Sequence, residues 1–185
     1  LNKLQKVELI GKESLNIGER CFENCTSLSS ISFINKSDKN MIISKDIFSC
    51  CKSLKSITFG SHSTINLNNE SFADNNKLET VSIVGKEIII GNKCFFGCFN
   101  KEKYEYIYRS KYGYSKYDYS KILIEKSLVI KSESKIELGN NCFENSYIED
   151  INIDGKELNI KKNCFKNCEC LKVFQISNIP QISIN

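Results

Sequence analysis

Cys-Phe-x-x-Cys-x-x-Leu-x-x-Ile-x-Phe, spelled out by Cys21–Phe33, returns in recognisable form along the whole chain. No other property restricts the fold as much. Phe22, Phe48, Phe72 and Phe95 follow one another at intervals of 26, 24 and 23 residues, and Phe143 and Phe165 resume the series 48 and then 22 residues on. A fixed period of this size specifies a solenoid, in which each unit buries its apolar face only against its neighbours. The length of 185 residues then says nothing about domain number, because a solenoid has no single central core.

Each unit carries two apolar patterns. The first is Leu-x-x-Ile-x-Phe or a variant: Leu4/Val7/Leu9, Leu28/Ile31/Phe33, Leu54/Ile57/Phe59, Leu78/Val81/Ile83, Leu128/Ile130, Ile148/Ile151/Ile153 and Leu171/Phe174/Ile176. Alternating β-branched and aromatic residues predict a strand with one buried face. The second is an alternating pair 6 and 4 residues before each block: Leu15/Ile17, Met41/Ile43, Ile65/Leu67, Ile88/Ile90, Ile136/Leu138 and Leu158/Ile160, with Ile182/Ile184 opening a last copy. Short polar linkers join the two, three of them carrying Gly-Lys-Glu, which suits a tight turn. After the second pair, the Cys-Phe block spans about one helical turn, with its Phe turned inward to stack on its copies.

Counting from the centre of the first strand gives Val7, Ile31, Ile57, Val81, Tyr104, Leu128, Ile151 and Phe174, spaced 23 to 26 residues apart. The count predicts eight turns with none skipped. Tyr104 and Tyr106 then occupy strand positions of a fifth turn, and Ile122/Ile124 supplies its second pair. The expected architecture is one solenoid over residues 1–185, mostly β and loop, with parallel sheets along it, short helical turns, and an atypical Tyr-rich turn at 101–127. The chain opens directly in repeat, without Met or signal peptide, and reads as an excerpt of something longer.

Leu-x-x-Ile-x-Phe resembles the strand motif of leucine-rich repeats. The fuller pattern Ile-x-x-x-x-Phe-x-x-Cys-x-x-Leu resembles the BspA-like subclass found in bacterial and protist surface proteins. The resemblance covers essentially the whole chain. It implies a right-handed leucine-rich-repeat arc without catalytic activity or cofactor, acting as a protein-binding or adhesion scaffold. It also implies display at a cell surface in preference to the cytoplasm, with a host or matrix protein as the kind of partner. The alternative is a structural spacer or intracellular scaffold segment with no ligand of its own. Two departures stand out. The Ala usual before the Phe is Cys21, Cys94, Cys142 and Cys164, with Ile47 and Ser71 at the other copies, and the Tyr104 turn lacks the Phe block.

Ten cysteines admit metal, disulfide and structural-thiol readings. The pairs Cys21/Cys25, Cys94/Cys98 and Cys164/Cys168 are Cys-x-x-x-Cys, not the Cys-x-x-Cys of zinc sites. The repeats supply their own control, because Ile47 and Ser71 replace the first Cys, and Asn75 and Ser146 the second. A metal ligand or disulfide partner does not tolerate Ile or Asn, whereas a small gap-filling group does. Structural thiols are therefore the favoured reading and no metal is expected. Cys50 and Cys170 lie off the ladder and are the expected exposed thiols.

The odd turn is the candidate functional site. Lys101–Lys121 holds seven of the eight tyrosines, with Arg109, Lys111 and Lys116 between them, and its linker runs 15 residues. One reading is a protruding contact loop of Tyr108, Arg109, Tyr112, Tyr114, Tyr117 and Tyr119, the composition of interface hot spots. A second has the rings packing over the gap left by the missing Phe. A third, bases stacked on Tyr, lacks a basic groove elsewhere. The net charge of +4, from 26 basic and 22 acidic residues evenly mixed, calls for neither nucleic acid nor an acidic membrane as partner. No stretch reaches the ~20 apolar residues of a membrane span.

Catalytic motifs are missing: the single His, His62, lies in a polar linker, and no phosphate-binding or nucleophile-elbow motif occurs. The outward positions of the first strands form the default ligand face, which reads as polar, mixed in charge and poor in aromatics. Three glycosylation sequons start at Asn24, Asn35 and Asn69; Asn35, in the longest ordinary linker, is the plausible acceptor of the three, but in a chain so rich in Asn and Ser chance matches are the favoured reading.

Overall fold

In the computed structural model, residues 3–99 and 126–185 are described in full, and 104–110 and 117–123 as backbone. Among the described residues sixteen strands follow in chain order. The odd-numbered ones before the midpoint are β1 (Lys6–Gly11), β3 (Ser30–Asn35), β5 (Ser56–Ser61) and β7 (Thr80–Gly85), and each is followed by a shorter strand, β2 (Leu15–Ile17), β4 (Met41–Ile43), β6 (Thr64–Leu67) and β8 (Glu87–Ile90). β9 (Tyr104–Ser110) and β10 (Tyr117–Leu123) come next. The second half holds β11 (Ser127–Ser132), β12 (Lys135–Leu138), β13 (Asp150–Asp154), β14 (Glu157–Ile160), β15 (Val173–Ser177) and β16 (Gln181–Ile184).

Two parallel seven-stranded sheets run along the solenoid. One has the order β1-β3-β5-β7-β11-β13-β15 and the other β2-β4-β6-β8-β12-β14-β16. The apolar residues named by the two sequence patterns fall in register: Val7, Ile31, Ile57, Val81, Leu128, Ile151 and Phe174 form one column, and Ile17, Ile43, Leu67, Ile90, Leu138, Ile160 and Ile184 another. The strand alternation turns these residues inward, and all but the terminal ones are buried.

The count of eight turns is corrected to seven strands per sheet. β7 pairs directly with β11, with Val81 beside Leu128 and Ile83 beside Ile130, so no rung contains Tyr104 or Tyr106. Instead β9 and β10 form a separate antiparallel hairpin. Ile122 belongs to that hairpin and supplies no second pair; Ile124 lies outside the described residues. The miscount has a simple cause. Cys98 precedes Ser127 by 29 positions where Cys25 precedes Ser30 by 5, so the insertion adds 24 residues, which is one period.

With no fifth turn there is no missing Phe to cover. Phe22, Phe48, Phe72, Phe95, Phe143 and Phe165 stack in one column at centroid separations of 5.1, 5.1, 5.2, 5.2 and 5.4 Å, their planes within 14° of parallel. Phe95 meets Phe143 straight across the insertion. Phe33 and Phe59 add edge-on contacts from the first sheet.

The blocks that carry these rings are turns, not helical turns, and no helix occurs among the described residues. Each block has a left-handed residue on either side of its Phe: Arg20 and Asn24, Asp46 and Cys50, Glu70 and Asp74, Lys93 and Gly97, Asn141 and Asn145, Asn163 and Asn167. A right-handed helix cannot pass through such residues, and Asn tolerates the conformation best among side-chain-bearing types. The backbone bonds go sideways to the next turn instead, as in Phe22 N–H to Ile47 O (3.1 Å), Phe72 N–H to Cys94 O (3.0 Å) and Phe95 N–H to Cys142 O (2.9 Å). The block edge is thus a third turn-to-turn hydrogen-bond ladder, which satisfies backbone groups that burial would otherwise orphan.

Candidate functional site

The second position of the block shows why Cys, Asn and Ser interchange there. Cys51 Sγ donates to Phe22 O (3.1 Å), Asn75 Nδ2 to Phe48 O (2.9 Å), Cys98 Sγ to Phe72 O (3.0 Å), Ser146 Oγ to Phe95 O (2.8 Å) and Cys168 Sγ to Phe143 O (3.1 Å). Every one reaches back to the Phe carbonyl of the preceding turn. The position therefore selects a small hydrogen-bond donor, a stricter demand than gap filling. The signal was in the sequence: across the six blocks the residue is Cys, Cys, Asn, Cys, Ser, Cys, and never Ala or Val. The first position, which accepts Ile47, is the true gap-filler.

These thiols are held protonated. Burial pushes Cys51 up to about 12 and Cys168 up to about 11, and raises Cys94, Cys98 and Cys142 well above the ordinary thiol value. Since the thiolate is the nucleophile and the metal ligand, such cysteines are chemically quiet. Cys21, at the open end of the ladder, is the exposed thiol, while Cys50 and Cys170 are only partly exposed. Among the described residues no three His, Cys, Asp or Glu side chains converge as metal ligands. A shallow groove of about 360 Å³ lies along the block edge between Asp46, Cys50, Glu70, Asp74, Lys93 and Phe96. Lys45 spans two of its carboxylates, 3.7 Å from Asp46 and 3.4 Å from Glu70, which makes the surface polar.

The outer face of the first sheet is better organised than its mixed composition suggests. Ser30, Ser56, Thr80 and Ser127 form one outward column, Ser32, Thr58, Ser82 and Val129 the next, and Ile34, Gly60, Val84 and Lys131 a third. Ile34 Cδ1 lies 3.0 Å from where a Cβ on Gly60 would stand, so that stripe is smooth. From β3 to β7 the face is flat and free of charge, and the first charge beyond β7 is Lys131 on β11. Charge is gathered just before the strands, where Lys55, Glu79, Lys126, Glu149 and Lys172 alternate in sign from rung to rung. Lys55 meets Glu79 at 3.2 Å, Lys126 meets Glu149 at 3.3 Å, and Lys172 pairs with Glu149 from the other side. Alternation is what an in-register column needs, since like charges on adjacent strands repel.

Lys126 is wholly buried and Glu149 nearly so, whereas Lys55 and Lys172 at the same position keep 41% and 58% of their side chains exposed. Burial by itself pushes the Glu149 carboxyl up, but hydrogen bonds from Lys172 and Lys126 outweigh it and hold the group below the usual carboxylate range. Lys126 is also the point where the chain re-enters the solenoid after β10.

Of the sequence-predicted contact residues, Tyr108 and Arg109 lie in β9 and Tyr117 and Tyr119 in β10; Tyr112 and Tyr114 fall outside the described residues. Tyr119 pairs with Tyr108, Tyr117 with Ser110, and Asp118 with Arg109. Strand alternation then places Tyr104, Tyr106, Tyr108, Tyr117 and Tyr119 on one face of the ribbon. Among the sequons, the choice of Asn35 as the plausible acceptor is corrected. Asn35 is 1% exposed and its amide donates to Lys39 O at 2.7 Å, so it is no acceptor, whereas Asn24 is exposed.

The repeat agrees with a known family model. The family model described as BspA type leucine rich repeat region matches in six copies over residues 2–120 and 115–185. A crystal structure of a leucine-rich repeat protein from Bacteroides ovatus aligns over 99% of this chain and 63% of its own length, at 16% identity and a TM-score of 0.31. The chain therefore spans less than two thirds of that protein. No match was found among curated proteins. With the family motif covering both halves, and with the Phe column and paired parallel sheets that the motif encodes, the chain belongs to the BspA-type leucine-rich repeat family.

Proposed function

We propose that this repeat module is a non-enzymatic protein-binding or adhesion segment whose contact elements are the Tyr-rich hairpin and the charge-free centre of the outer sheet face. One observation carries the reading: β7 and β11, and Phe95 and Phe143, meet as if nothing lay between them, although the 29-position step from Cys98 to Ser127 replaces the usual 5. The sheets and the Phe column have no need of that material. Segments that a scaffold does not require, rich in Tyr and Arg, are where recognition concentrates. Five tyrosines on one face of a ribbon supply large, semi-rigid, amphipathic contact area at low entropic cost. The quiet thiols and the absence of catalytic motifs support a non-enzymatic role. Surface display with a host or matrix protein as partner fits the same reading. The alternative is a structural spacer without a ligand.

The test replaces residues 100–125 by Ser-Leu, which restores the 5-position step seen between Cys25 and Ser30. Immobilised intact and hairpin-less chains are challenged with a panel of surface and matrix proteins. Loss of a specific partner with an unchanged circular dichroism spectrum supports the proposal. Equal recovery of every partner by both chains leaves the spacer as the better reading.

A further inference from the structure

The hairpin forms a two-stranded sheet of its own, and among the described residues neither β9 nor β10 pairs with any other strand. A lone two-stranded ribbon in water is marginal and gains most from a third strand. In an antiparallel pair half of each strand's N–H and C=O groups point away from the partner, so each outer edge is a template for strand addition. What that edge accepts can be read from its sequence.

β9 reads Tyr104-Glu105-Tyr106-Ile107-Tyr108-Arg109-Ser110. Laid antiparallel against itself about a two-fold axis at Ile107, it places Glu105 opposite Arg109 of the second copy, and Arg109 opposite Glu105. Tyr106 then faces Tyr108 in both directions, and Ile107 faces Ile107. Opposite charges, paired aromatics and a central β-branched pair are the cross-strand combinations that stabilise a sheet. The rows extend through the hairpin register, because Asp118 already lies beside Arg109 and Tyr119 beside Tyr108. A four-stranded sheet would therefore carry the row Asp118–Arg109–Glu105–Ile122, and a second row of three tyrosines ending in Lys121. β10 offers no such match: centred on Ser120 it sets Asp118 opposite Ile122, and centred on Asp118 or Lys121 it sets like charges together.

We infer that β9 is a homotypic interface, joining two copies of this chain through an antiparallel β9–β9 pair with closed two-fold symmetry. The inference rests on the reading of the hairpin as a contact element and names its partner. Sedimentation analysis across a wide concentration range tests it on four chains: intact, Glu105→Arg, Arg109→Glu, and the double exchange E105R/R109E. The expected result is a dimer that each single reversal weakens by roughly tenfold or more, two charge pairs being lost per dimer, and that the double exchange restores. All three variants keep the solenoid's circular dichroism spectrum, since none touches its core.

An intact chain that stays monomeric overturns the inference, as does a dimer indifferent to both reversals or one that persists when residues 100–125 are replaced by Ser-Leu. The two levels separate cleanly. A monomer whose hairpin still captures a different protein refutes only the homotypic interface. A hairpin whose replacement changes neither association nor capture refutes the contact reading itself.

Discussion

The most discriminating prediction concerns Ser146. Its hydroxyl is fully buried and donates to Phe95 O at 2.8 Å, and the same carbonyl has one other bond, a longer one of 3.3 Å from Cys98 N–H. Ser146→Ala removes the donor and almost no volume, leaving that buried carbonyl underused. Leaving a buried acceptor without its partner costs about 1–3 kcal/mol, and the residual Cys98 bond places this case near ~1–2 kcal/mol. For a chain of this size that is a fall in Tm of roughly 2–8 °C. Ser146→Cys keeps a donor of the kind that Cys98 and Cys168 provide at the same position, and is expected to stay within about 0.5 kcal/mol of the parent. Parallel urea and thermal unfolding followed by circular dichroism makes the comparison. If Ala and Cys prove equally stable, the position is a gap-filler and the donor rule is refuted.

Two further outcomes follow from the packing. Phe72 is fully buried, stacked between Phe48 and Phe95 and met edge-on by Phe59, so Phe72→Ala should cost about 3–5 kcal/mol in the same unfolding measurements. Glu149→Ala strands the buried ammonium of Lys126 and should cost about 3 kcal/mol, the low end for a broken buried pair because the lysine stem can swing toward water. The same carboxylate sets an acid limit. Glu149, Glu137 and Glu144 all have folded values below the ordinary one, so their contribution is complete above the unfolded Glu value and disappears as pH falls through the folded values. Tm should hold steady from neutral pH down to about 5 and then drop in the range below about 4, with a shallower drop in Glu149→Ala. A Tm that rises on acidification would contradict the sign.

The primary structure by itself determined the solenoid, the two apolar strand patterns, their pairing partners within each half, and the Phe column, because each rests on a residue type recurring at fixed offset. A buried repeat position can accept only a few shapes, so its chemistry is visible in one dimension. The tyrosines proposed for contact were visible too, as a composition out of keeping with their surroundings. What the tertiary structure decided was where those tyrosines sit. An insertion as long as one period preserves the spacing, so Tyr104 and Tyr106 passed for strand residues of a fifth turn. Only the direct pairing of Ile83 with Ile130 and of Phe95 with Phe143 shows the chain leaving the solenoid and returning one rung later. Sheet closure is a contact between residues 47 positions apart, and the energy of that contact, not the spacing along the chain, selects a hairpin over an eighth turn. The donor rule at Cys51, Asn75, Cys98, Ser146 and Cys168 belongs to the same class. Its residues were plain to read, but the Phe carbonyl they serve lies one turn away and becomes a partner only when the turns stack.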